Sequence, residues 1–545
     1  MMKSKLLIAI ALLVKITSLG AQQLPVGYGD LEDYYRRMQL WTDSDSLTSF
    51  TVRPTQVDEV EILKWTRNIA KTPWGLEADL LSPQIQVDWN SHHPYYANNA
   101  GLTPSKGIQS LTSVGLSVKM PLLSIQIRPE FIASSNGSYD GFPETLSNRL
   151  WEIRYEWWNR IDTPEQFGDG GITKIIPGQS HALIEYKGFG LGFSTENLWW
   201  GPGRRQSLMM SNNARGFGHL TFRSTRPQNT PIGVFEWNLV AGRLEESGYR
   251  PPIRSEGNPA FFEREDDWRY LSAINIAYQP KWIPGLVLGG NRSVQQYAET
   301  ARNSNDYLPV FINLFRQNDN LNRQEQDIDQ LISFYFRWRW KQEQAEIYFE
   351  FGRNDAALNI RDLLLGPQHS RAYIFGLSKI FGLKTEGRGI EVIYEHTQLQ
   401  QSASYLLRNA QSWYLHSQVR HGYTHRGEVL GASIGPGSNM DFFGIALVEG
   451  LRKYGLRIER VSNNNDFFFR AFENTRDWRR FWVDYNIGID LTLPYKQFLF
   501  DGSLIFTRSL NYQWELFENP NNQPYFVAGE DASNLYFSLK TLYLF

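Results

Sequence analysis

Apolar and charged residues alternate strictly along several segments of this chain. In residues 334–341 the even positions are Phe, Phe, Trp and Trp, whereas the odd positions are Tyr, Arg, Arg and Lys. Successive side chains of a β-strand point to opposite faces, so this segment would have one aromatic face and one charged face. The same alternation in residues 346–351 and 151–158 predicts two further strands.

The C-terminal residues 535–545 show the same period and end on an aromatic residue, Phe545. Leu535 and Phe537 fall on one face of this segment, and Tyr536 and Lys540 fall on the other. The segment resembles the closing strand of bacterial outer-membrane barrels, although an edge strand with a coincidental terminal phenylalanine would look similar. Because an open sheet edge in lipid leaves backbone groups unpaired, a membrane sheet must close on itself.

The composition favours a membrane barrel over a soluble protein. The mean hydropathy is −0.42, and no segment after the N-terminal region approaches the run of roughly 20 apolar residues that a membrane helix needs. The 33 Phe, 27 Tyr and 18 Trp are more than a soluble core usually holds, whereas transmembrane barrels carry aromatic girdles. We therefore predict an all-β fold, a transmembrane antiparallel β-barrel, and the length allows roughly 16 to 20 strands.

The N-terminal residues 1–21 have the features of a secretory signal peptide. Lys3 and Lys5 precede an apolar stretch that is too short to span a bilayer, and residues 18–21 are mostly small. The chain contains no cysteine, which excludes a lipidated cysteine and a disulfide framework. We expect residues 22–73 to form a periplasmic helical segment and residues 74–545 to form the outer-membrane barrel.

A short amphipathic helix is predicted near the start of the mature chain. Asp30 is a suitable N-cap, and Leu31, Tyr34, Tyr35 and Met38 follow at the spacing of one helical face. A second helix is predicted over residues 56–69. This segment could also pack into the barrel as a partial plug.

One segment, residues 196–220, combines paired tryptophans, a Gly-Pro-Gly turn, two adjacent arginines and an Asn-Asn pair in the run ENLWWGPGRRQSLMMSNNARGFGHL. Together with GQS at 178–180 and GYTHRGEVLGASIGPGSN at 422–439, it resembles the Wzi-type capsule assembly family. The resemblance covers most of the mature chain. It implies an outer-membrane barrel of about 18 strands that holds capsular polysaccharide at the cell surface, with a small helical bundle on the periplasmic face.

The sequence contains little that indicates catalysis. It has no phosphate-binding loop, no GxSxG nucleophile elbow and no HExxH zinc motif. His416, His421 and His425 are closely spaced, and we interpret them as hydrogen-bonding loop or lumen residues rather than as metal ligands. We expect no enzyme activity, no cofactor and no metal. The net charge of −2 gives no general attraction to nucleic acid, and no nucleic-acid partner is expected.

The segment 196–220 and its neighbours have the composition of a sugar-binding site. Tryptophan faces stack against the C–H face of a pyranose, and asparagine both donates hydrogen bonds to hydroxyls and accepts them. Arginine pairs with carboxylates, so an acidic polysaccharide is a natural ligand. The predicted polysaccharide-binding residues are Trp199, Trp200, Arg204, Arg205, Asn212, Asn213, Arg215, His219 and His425.

A purely structural role is the alternative for this segment. The Gly-Pro-Gly run would then be a rigid turn, the tryptophans part of a girdle, and the arginines partners for lumen acids such as Glu152 and Glu156. A regular strand would point Trp199 and Trp200 to opposite sides, whereas a turn would let both reach a ligand.

Three classes of function are compatible with the sequence. The leading hypothesis is a non-enzymatic outer-membrane lectin that anchors or organises capsular polysaccharide or exopolysaccharide at the cell surface. The second is an outer-membrane porin or sugar-selective channel, because a wide barrel can hold an aqueous lumen. An outer-membrane hydrolase or acyltransferase is the third. The expected partners are the polysaccharide, outer-membrane lipid and the barrel assembly machinery.

Overall fold

The protein forms a closed antiparallel β-barrel of 18 strands. The computed structural model describes residues 21–41, 47–58, 64–95, 98–254, 260–301, 307–311, 328–354, 360–383, 387–408, 410–516 and 531–545. The predicted signal peptide therefore lies outside the described residues except for Ala21.

Neighbouring strands of the barrel are mostly consecutive in the chain. Three of the strands each consist of two successive segments, separated by a few residues that do not belong to the strand. The barrel strands are Glu77–Asn90, Gly107–Met120, Leu123–Ile127 with Glu130–Ser134, Ile172–Ile176 with His181–Tyr186, Phe189–Ser194, His219–Ser224 with Gln228–Thr230, Gly233–Leu244, Arg269–Pro280, Leu286–Tyr297, Asp329–Trp340, Ala345–Asn354, Arg371–Gly382, Arg388–Gln398, Asn439–Glu449, Arg452–Ser462, Val483–Tyr495, Phe498–Leu510 and Ala532–Tyr543.

The C-terminal strand Ala532–Tyr543 closes the barrel by pairing antiparallel with Glu77–Asn90. The strand Thr66–Lys71 pairs with the other half of Glu77–Asn90, so the barrel sheet already begins before Trp74. The predicted closing strand is therefore confirmed. Its aromatic Phe537 faces outwards, whereas Tyr536 is buried on the lumen side.

The alternating pattern correctly marks which side chains face outwards. In strand Asp329–Trp340, Phe334 is 62% exposed on the outer surface, while Arg337 is fully buried in the lumen. The neighbouring strand Ala345–Asn354 places Glu346 and Glu350 inside in the same way. Within the described part of the chain, no helix has the length and apolar character needed to cross a bilayer, a finding that concerns helices alone.

The two ends of the barrel differ in their connections. At one end the strands are joined by short turns, such as the one between Tyr186 and Phe189. At the other end the connections are long, and residues 195–218 and 410–438 of two of them fold largely into the lumen. In bacterial outer-membrane barrels the short turns face the periplasm and the longer loops face outwards. We refer to the two ends as the short-turn end and the long-loop end.

The helices lie inside the barrel or on its long-loop end. The N-terminal helix Gly29–Trp41 packs in the lumen near the short-turn end, where Arg37 donates to the carbonyl of Gly450 at 3.5 Å. The other helical segments are Asn148–Trp158, Ala298–Thr300, Pro309–Phe311, Ile360–Leu365, Ala403–Leu406, Asn465–Phe472, Trp478–Arg480 and Tyr512–Trp514. Short strands outside the barrel sheet are Ala21–Leu24, Val52–Arg53, Thr55–Asp58, Trp199–Trp200, Thr424–His425 and Glu428–Val429.

The strand predicted over residues 151–158 is wrong, because this segment is the helix Asn148–Trp158. Trp151, Tyr155 and Trp158 lie at i, i+4 and i+7 and pack together, with ring centroids 5.6 Å apart for Trp151–Tyr155 and for Tyr155–Trp158. Alternation over eight residues also places side chains at the i, i+4 spacing of a helix face. The packing of these three rings on one face therefore favours the helix over a strand.

The second helix predicted over residues 56–69 is also wrong where the structure describes it. Residues Thr55–Asp58 form a strand that pairs with Ala21–Leu24, and Thr66–Lys71 is a strand of the barrel sheet. In both segments the backbone forms hydrogen bonds with a neighbouring strand, and these bonds override the helical spacing of the apolar residues. The first predicted helix is confirmed, and it begins at Gly29, one residue before the expected cap.

The buried apolar residues form two main clusters. The larger one fills the long-loop half of the lumen and includes Trp158, Trp200, Leu208 and Trp413. The smaller one packs the N-terminal helix against the short-turn end of the wall, and Leu31 is one of the helix residues in it. Between them lies a layer of buried charged residues, in which the predicted site segment is embedded.

Candidate functional site

The two tryptophans of the predicted site lie on a short strand. Trp199 and Trp200 pair antiparallel with Arg53 and Val52, so their side chains point in opposite directions. The guanidinium of Arg53 lies 4.9 Å from the ring centre of Trp199, a cation–π contact. Trp200 is fully buried in the large apolar cluster. The strand geometry therefore allows only Trp199 to line a cavity.

The turn after the tryptophans requires glycine at two positions. Gly201 has a φ of +113°, and a Cβ there would lie 2.8 Å from the Glu350 carboxylate. A Cβ on Gly203 would lie 2.0 Å from the carbonyl oxygen of Gln206. Arg53 donates to the carbonyls of both glycines, at 2.9 and 3.2 Å. The turn is thus held closely between the barrel wall and the N-terminal segment.

The backbone after the turn wraps around one carboxylate of the wall. The N–H groups of Arg204, Arg205 and Gln206 all donate to Glu395, at 2.7, 3.1 and 2.8 Å. The Tyr348 hydroxyl donates to the same carboxylate at 2.8 Å. Successive backbone N–H groups that converge in this way form an anion-binding concavity. Here its anion is a side chain of the protein itself.

The side chain of Arg204 is buried among three carboxylates. Its guanidinium lies 3.0 Å from Glu346, 2.9 Å from Glu391 and 3.5 Å from Asp33. Burial alone would raise the pKa of Asp33, but Lys453 and Arg204 hold this pKa well below its usual range. Arg204 therefore connects the lumen loop to the barrel wall and to the N-terminal helix.

Arg205 differs from Arg204 because it remains partly open. Its side chain is 34% exposed, and its guanidinium lies 4.7 Å from the ring centre of Phe442 and 3.5 Å from Glu459. A partly exposed guanidinium over an aromatic ring retains donors for a ligand.

The two asparagines are largely committed to hydrogen bonds within the protein. Asn212 donates to the carbonyl of Asn98 at 2.6 Å and accepts from the side-chain amide of Asn197 at 2.6 Å. Asn213 donates to the carbonyl of Val429 at 2.9 Å. Both residues therefore tie the lumen loop to its neighbours.

The remaining predicted residues lie further along the loop and strand. The backbone N–H of Arg215 donates to the Glu428 carboxyl group, and burial raises the pKa of Glu428 to about 8. His219 lies 2.8 Å from the Phe217 carbonyl through Nδ1. Burial keeps the pKa of His425 well below its usual value, so its neutral ring accepts from the Glu245 N–H at 3.1 Å.

The structure brings only part of the predicted site together. Trp199, Arg204, Arg205 and Asn212 line a common cavity of about 190 Å³ between the lumen loop, the N-terminal helix and the barrel wall. The other predicted residues, Trp200, Asn213, Arg215, His219 and His425, do not line it.

The three closely spaced histidines each have a separate partner. The Nδ1 of His416 accepts from the Val419 N–H at 2.9 Å, and His421 lies 3.0 Å from the Tyr297 hydroxyl. Across the described ranges of the chain, no group of three or more histidine or acidic residues is arranged to hold a metal ion.

Comparison with known protein families shows which family this chain belongs to. The model of the capsule assembly protein Wzi family matches residues 82–468, more than two thirds of the 545 residues. This chain belongs to the Wzi family. It is therefore an outer-membrane protein, and the predicted family and location are confirmed.

Comparison with solved structures agrees with this assignment. The barrel is similar to Wzi of Escherichia coli, described as a carbohydrate-binding β-barrel involved in group 1 capsule assembly, with a TM-score of 0.58 and 11% identity over 96% of this chain and 100% of that one. At this identity the likeness shows the fold.

Two further solved structures give weaker matches. OccAB4 of Acinetobacter baumannii has a TM-score of 0.37 and 10% identity over 85% of this chain and 97% of its own, and OccK5 of Pseudomonas aeruginosa has a TM-score of 0.40 and 8% identity over 86% and 99%. A search of curated protein sequences finds no match.

Several residues that shape this Wzi-family site could not be found from the sequence. Glu395 and Glu346 lie on the inner faces of their strands, as many other lumen residues do. Only the folded structure shows that these two side chains hold the 199–206 turn. Arg53 is also far from this turn in the sequence, because it precedes Gly201 by 148 residues and Gly203 by 150. The sequence signals such residues only through the charged positions on the inner face of strands such as Ala345–Asn354.

Proposed function

We propose that this Wzi-family protein is a non-enzymatic outer-membrane lectin that anchors or organises capsular polysaccharide or exopolysaccharide at the cell surface. Family membership supports a role in capsule assembly. The similar Escherichia coli protein is described as carbohydrate binding. On this proposal the protein binds a polymer without chemical turnover. Outer-membrane lipid and the barrel assembly machinery remain its predicted partners.

The filled lumen is the observation that carries this proposal. The N-terminal helix, the 195–218 loop and most of residues 410–438 pack inside the wall, and both apolar clusters are built partly from these elements. Ion pairs such as Arg204 with Glu346 and Arg36 with Glu346, both at 3.0 Å, join these elements to the strands. A barrel filled in this way supports binding and display rather than diffusion through a channel.

The proposed contact residues in the lumen are those that line the cavity: Trp199, Arg204, Arg205 and Asn212. Arg205 contributes most directly, because it keeps exposed donors beside the Phe442 ring. Trp199 lines the cavity with a largely buried ring beside Arg53, and the other residues fix the shape of the cavity. The five remaining residues of the predicted set would act by supporting the loop.

Two measurements on purified protein test the proposed function. Binding to an array of purified bacterial capsular polysaccharides should be detected, and single-channel recordings in a planar bilayer should show little conductance. A well-defined open pore without binding to any glycan of the array would instead support the porin alternative.

A matched pair of tryptophan variants tests the lumen cavity. Trp199→Ala should reduce polysaccharide attachment per folded molecule, whereas Trp282→Ala, at a short turn with an exposed ring, should not. The loss expected for one stacked ring is about 1 to 3 kcal/mol of binding free energy, by analogy with aromatic stacking on bases. Equal attachment in both variants would show that Trp199 only supports the fold.

A further inference from the structure

A second cavity lies on the long-loop end, between the helices Asn148–Trp158 and Asn465–Phe472. Residues 401, 405, 410–412 and 415 complete its wall. Its volume is about 380 Å³, within the range of about 300 to 1,000 Å³ typical of small-ligand sites. We call it the outer cleft. None of the residues in the predicted polysaccharide-binding set lines it.

Aromatic rings form much of the surface of the outer cleft. Phe469 and Tyr405 are 37% and 38% exposed, which is unusual for large rings in a part of the protein that faces away from lipid. Phe481 packs against Phe469 with ring centroids 5.7 Å apart, and the buried Trp157 closes the cleft from the other helix. These rings give the cleft apolar faces that water still reaches.

Polar groups without partners surround these rings. Among the described residues, the half-buried guanidinium of Arg160 and the exposed guanidinium of Arg476 have no hydrogen-bond or ion-pair partner. The side-chain oxygen of Gln411 is buried and accepts no hydrogen bond from any residue that the structure describes. A buried acceptor without a partner is costly unless a ligand or water supplies the hydrogen bond. The cleft thus offers both donors and an acceptor next to aromatic faces.

The charges that line the cleft are balanced. Arg470 forms an ion pair with Glu156, and Asp477 is paired with Arg479 at 2.7 Å. Burial raises the pKa of Asp466 to about 6, and its carboxyl accepts from the Ser412 hydroxyl at 2.7 Å. The cleft therefore has no strong excess of positive charge that would select an acidic ligand.

We propose that the outer cleft is a binding subsite for an uncharged pyranose residue of the surface polysaccharide. An apolar sugar face would lie on Phe469 or Tyr405, and the ring hydroxyls would bond to Arg160 and Gln411. Its place on the long-loop end exposes it to the cell exterior, where a surface polymer lies. This proposal rests on the proposed lectin function and adds a site and a sugar class to it.

Variants of two cleft residues test this subsite in the full-length protein. Phe469→Ala and Arg160→Gln should each weaken binding to neutral capsular polysaccharides on an array, and to methyl hexopyranosides, by at least about tenfold. Phe311→Ala and Arg250→Gln are the matched controls, because both lie in long connections outside the cleft and are exposed. Heat-modifiable migration on gels confirms that each variant is folded.

The outcomes separate the subsite from the overall function. Selective loss in the cleft variants, with unchanged binding in the controls, supports the subsite. If the wild-type protein binds polysaccharide and all four variants bind equally, the subsite is wrong and the lectin function stands. If binding requires uronic acids and is lost for neutral glycans, the assignment of an uncharged sugar is wrong. If the wild-type protein binds no glycan, both proposals fail.

Discussion

At the scale of single residues, the segment that resembles a binding motif is mainly held by the protein itself. Glu395 takes the three consecutive N–H groups of Arg204, Arg205 and Gln206, and Arg204 is surrounded by carboxylates. Such contacts make the loop rigid, since a buried charge without its partner is costly. A ligand would therefore meet a preformed surface rather than order a flexible one.

Gly203 should tolerate no side chain. In Gly203→Ala the new Cβ would lie 2.0 Å from the Gln206 carbonyl oxygen, so the turn must shift and its bonds to Glu395 weaken. We expect a loss of about 2 kcal/mol or more in unfolding free energy, measured by urea unfolding of the reconstituted barrel. Gly170→Ala is the control, because nothing lies within 4 Å of its added Cβ. Equal stability of both variants would contradict the close approach.

Replacing Glu395 should show how much its carboxylate contributes. Glu395→Ala leaves three N–H groups of the loop without their acceptor, whereas Glu395→Gln keeps one carbonyl oxygen for them. We expect a loss of about 3 to 5 kcal/mol for alanine and a smaller one for glutamine. The exposed Glu449→Gln serves as control in the same unfolding assay. The prediction fails if glutamine is no better than alanine.

At the scale of elements, the N-terminal helix is the piece that fills the short-turn half of the lumen. Arg36 and Arg37 extend from it to Glu346 at 3.0 Å and to Glu391 at 3.4 Å on two separate strands. The acidic residues in its first turn, Asp30 and Glu32, are favourably placed at the positive end of the helix dipole.

Weakening these contacts should open the lumen. In a protein with both Arg36→Ala and Arg37→Ala, two wall carboxylates each lose one cationic partner, and the helix loses two of its ion pairs to the wall. We expect larger and more frequent current steps in planar bilayers than for the wild-type protein. Arg149→Ala removes an exposed arginine on another helix and should leave the conductance unchanged. Identical recordings for all three proteins would show that the loops alone close the lumen.

The elements also show what the sequence could and could not predict. Alternation identified Asp329–Trp340 and the C-terminal strand, because lipid and lumen impose opposite demands on the two faces of a strand. It failed at Asn148–Trp158, where the same residues also fit a helical face. The pairing of Glu395 with the 204–206 backbone depends on residues about 190 positions apart, which no local pattern contains.

At the scale of the whole molecule, the charged groups of the lumen largely neutralise one another. Arg204, one of the arginines that suggested an acidic ligand, is paired with Glu346 and Glu391. Arg223 on the barrel strand His219–Ser224 likewise lies 2.8 Å from Glu196. These cations are already compensated and mostly buried. Their charges are therefore poorly available to a polymer outside the barrel.

Polysaccharide binding should consequently depend weakly on salt. We expect the affinity for a capsular polysaccharide to change by less than about twofold between about 50 and 500 mM NaCl, because sodium chloride mainly screens exposed ion pairs. Binding by stacking and neutral hydrogen bonds explains such a result. A steep loss of affinity with salt would point instead to exposed cations, and Arg205→Gln would then be the first variant to examine.

The seam between Ala532–Tyr543 and Glu77–Asn90 has a genetic consequence. Asn90 and Asn534 of these strands are 444 residues apart, so the cylinder cannot be completed until both strands have been made and delivered. A premature stop codon between residues 120 and 532 would leave two bare strand edges facing lipid. Even very late nonsense mutations in this gene should therefore behave as complete loss-of-function alleles.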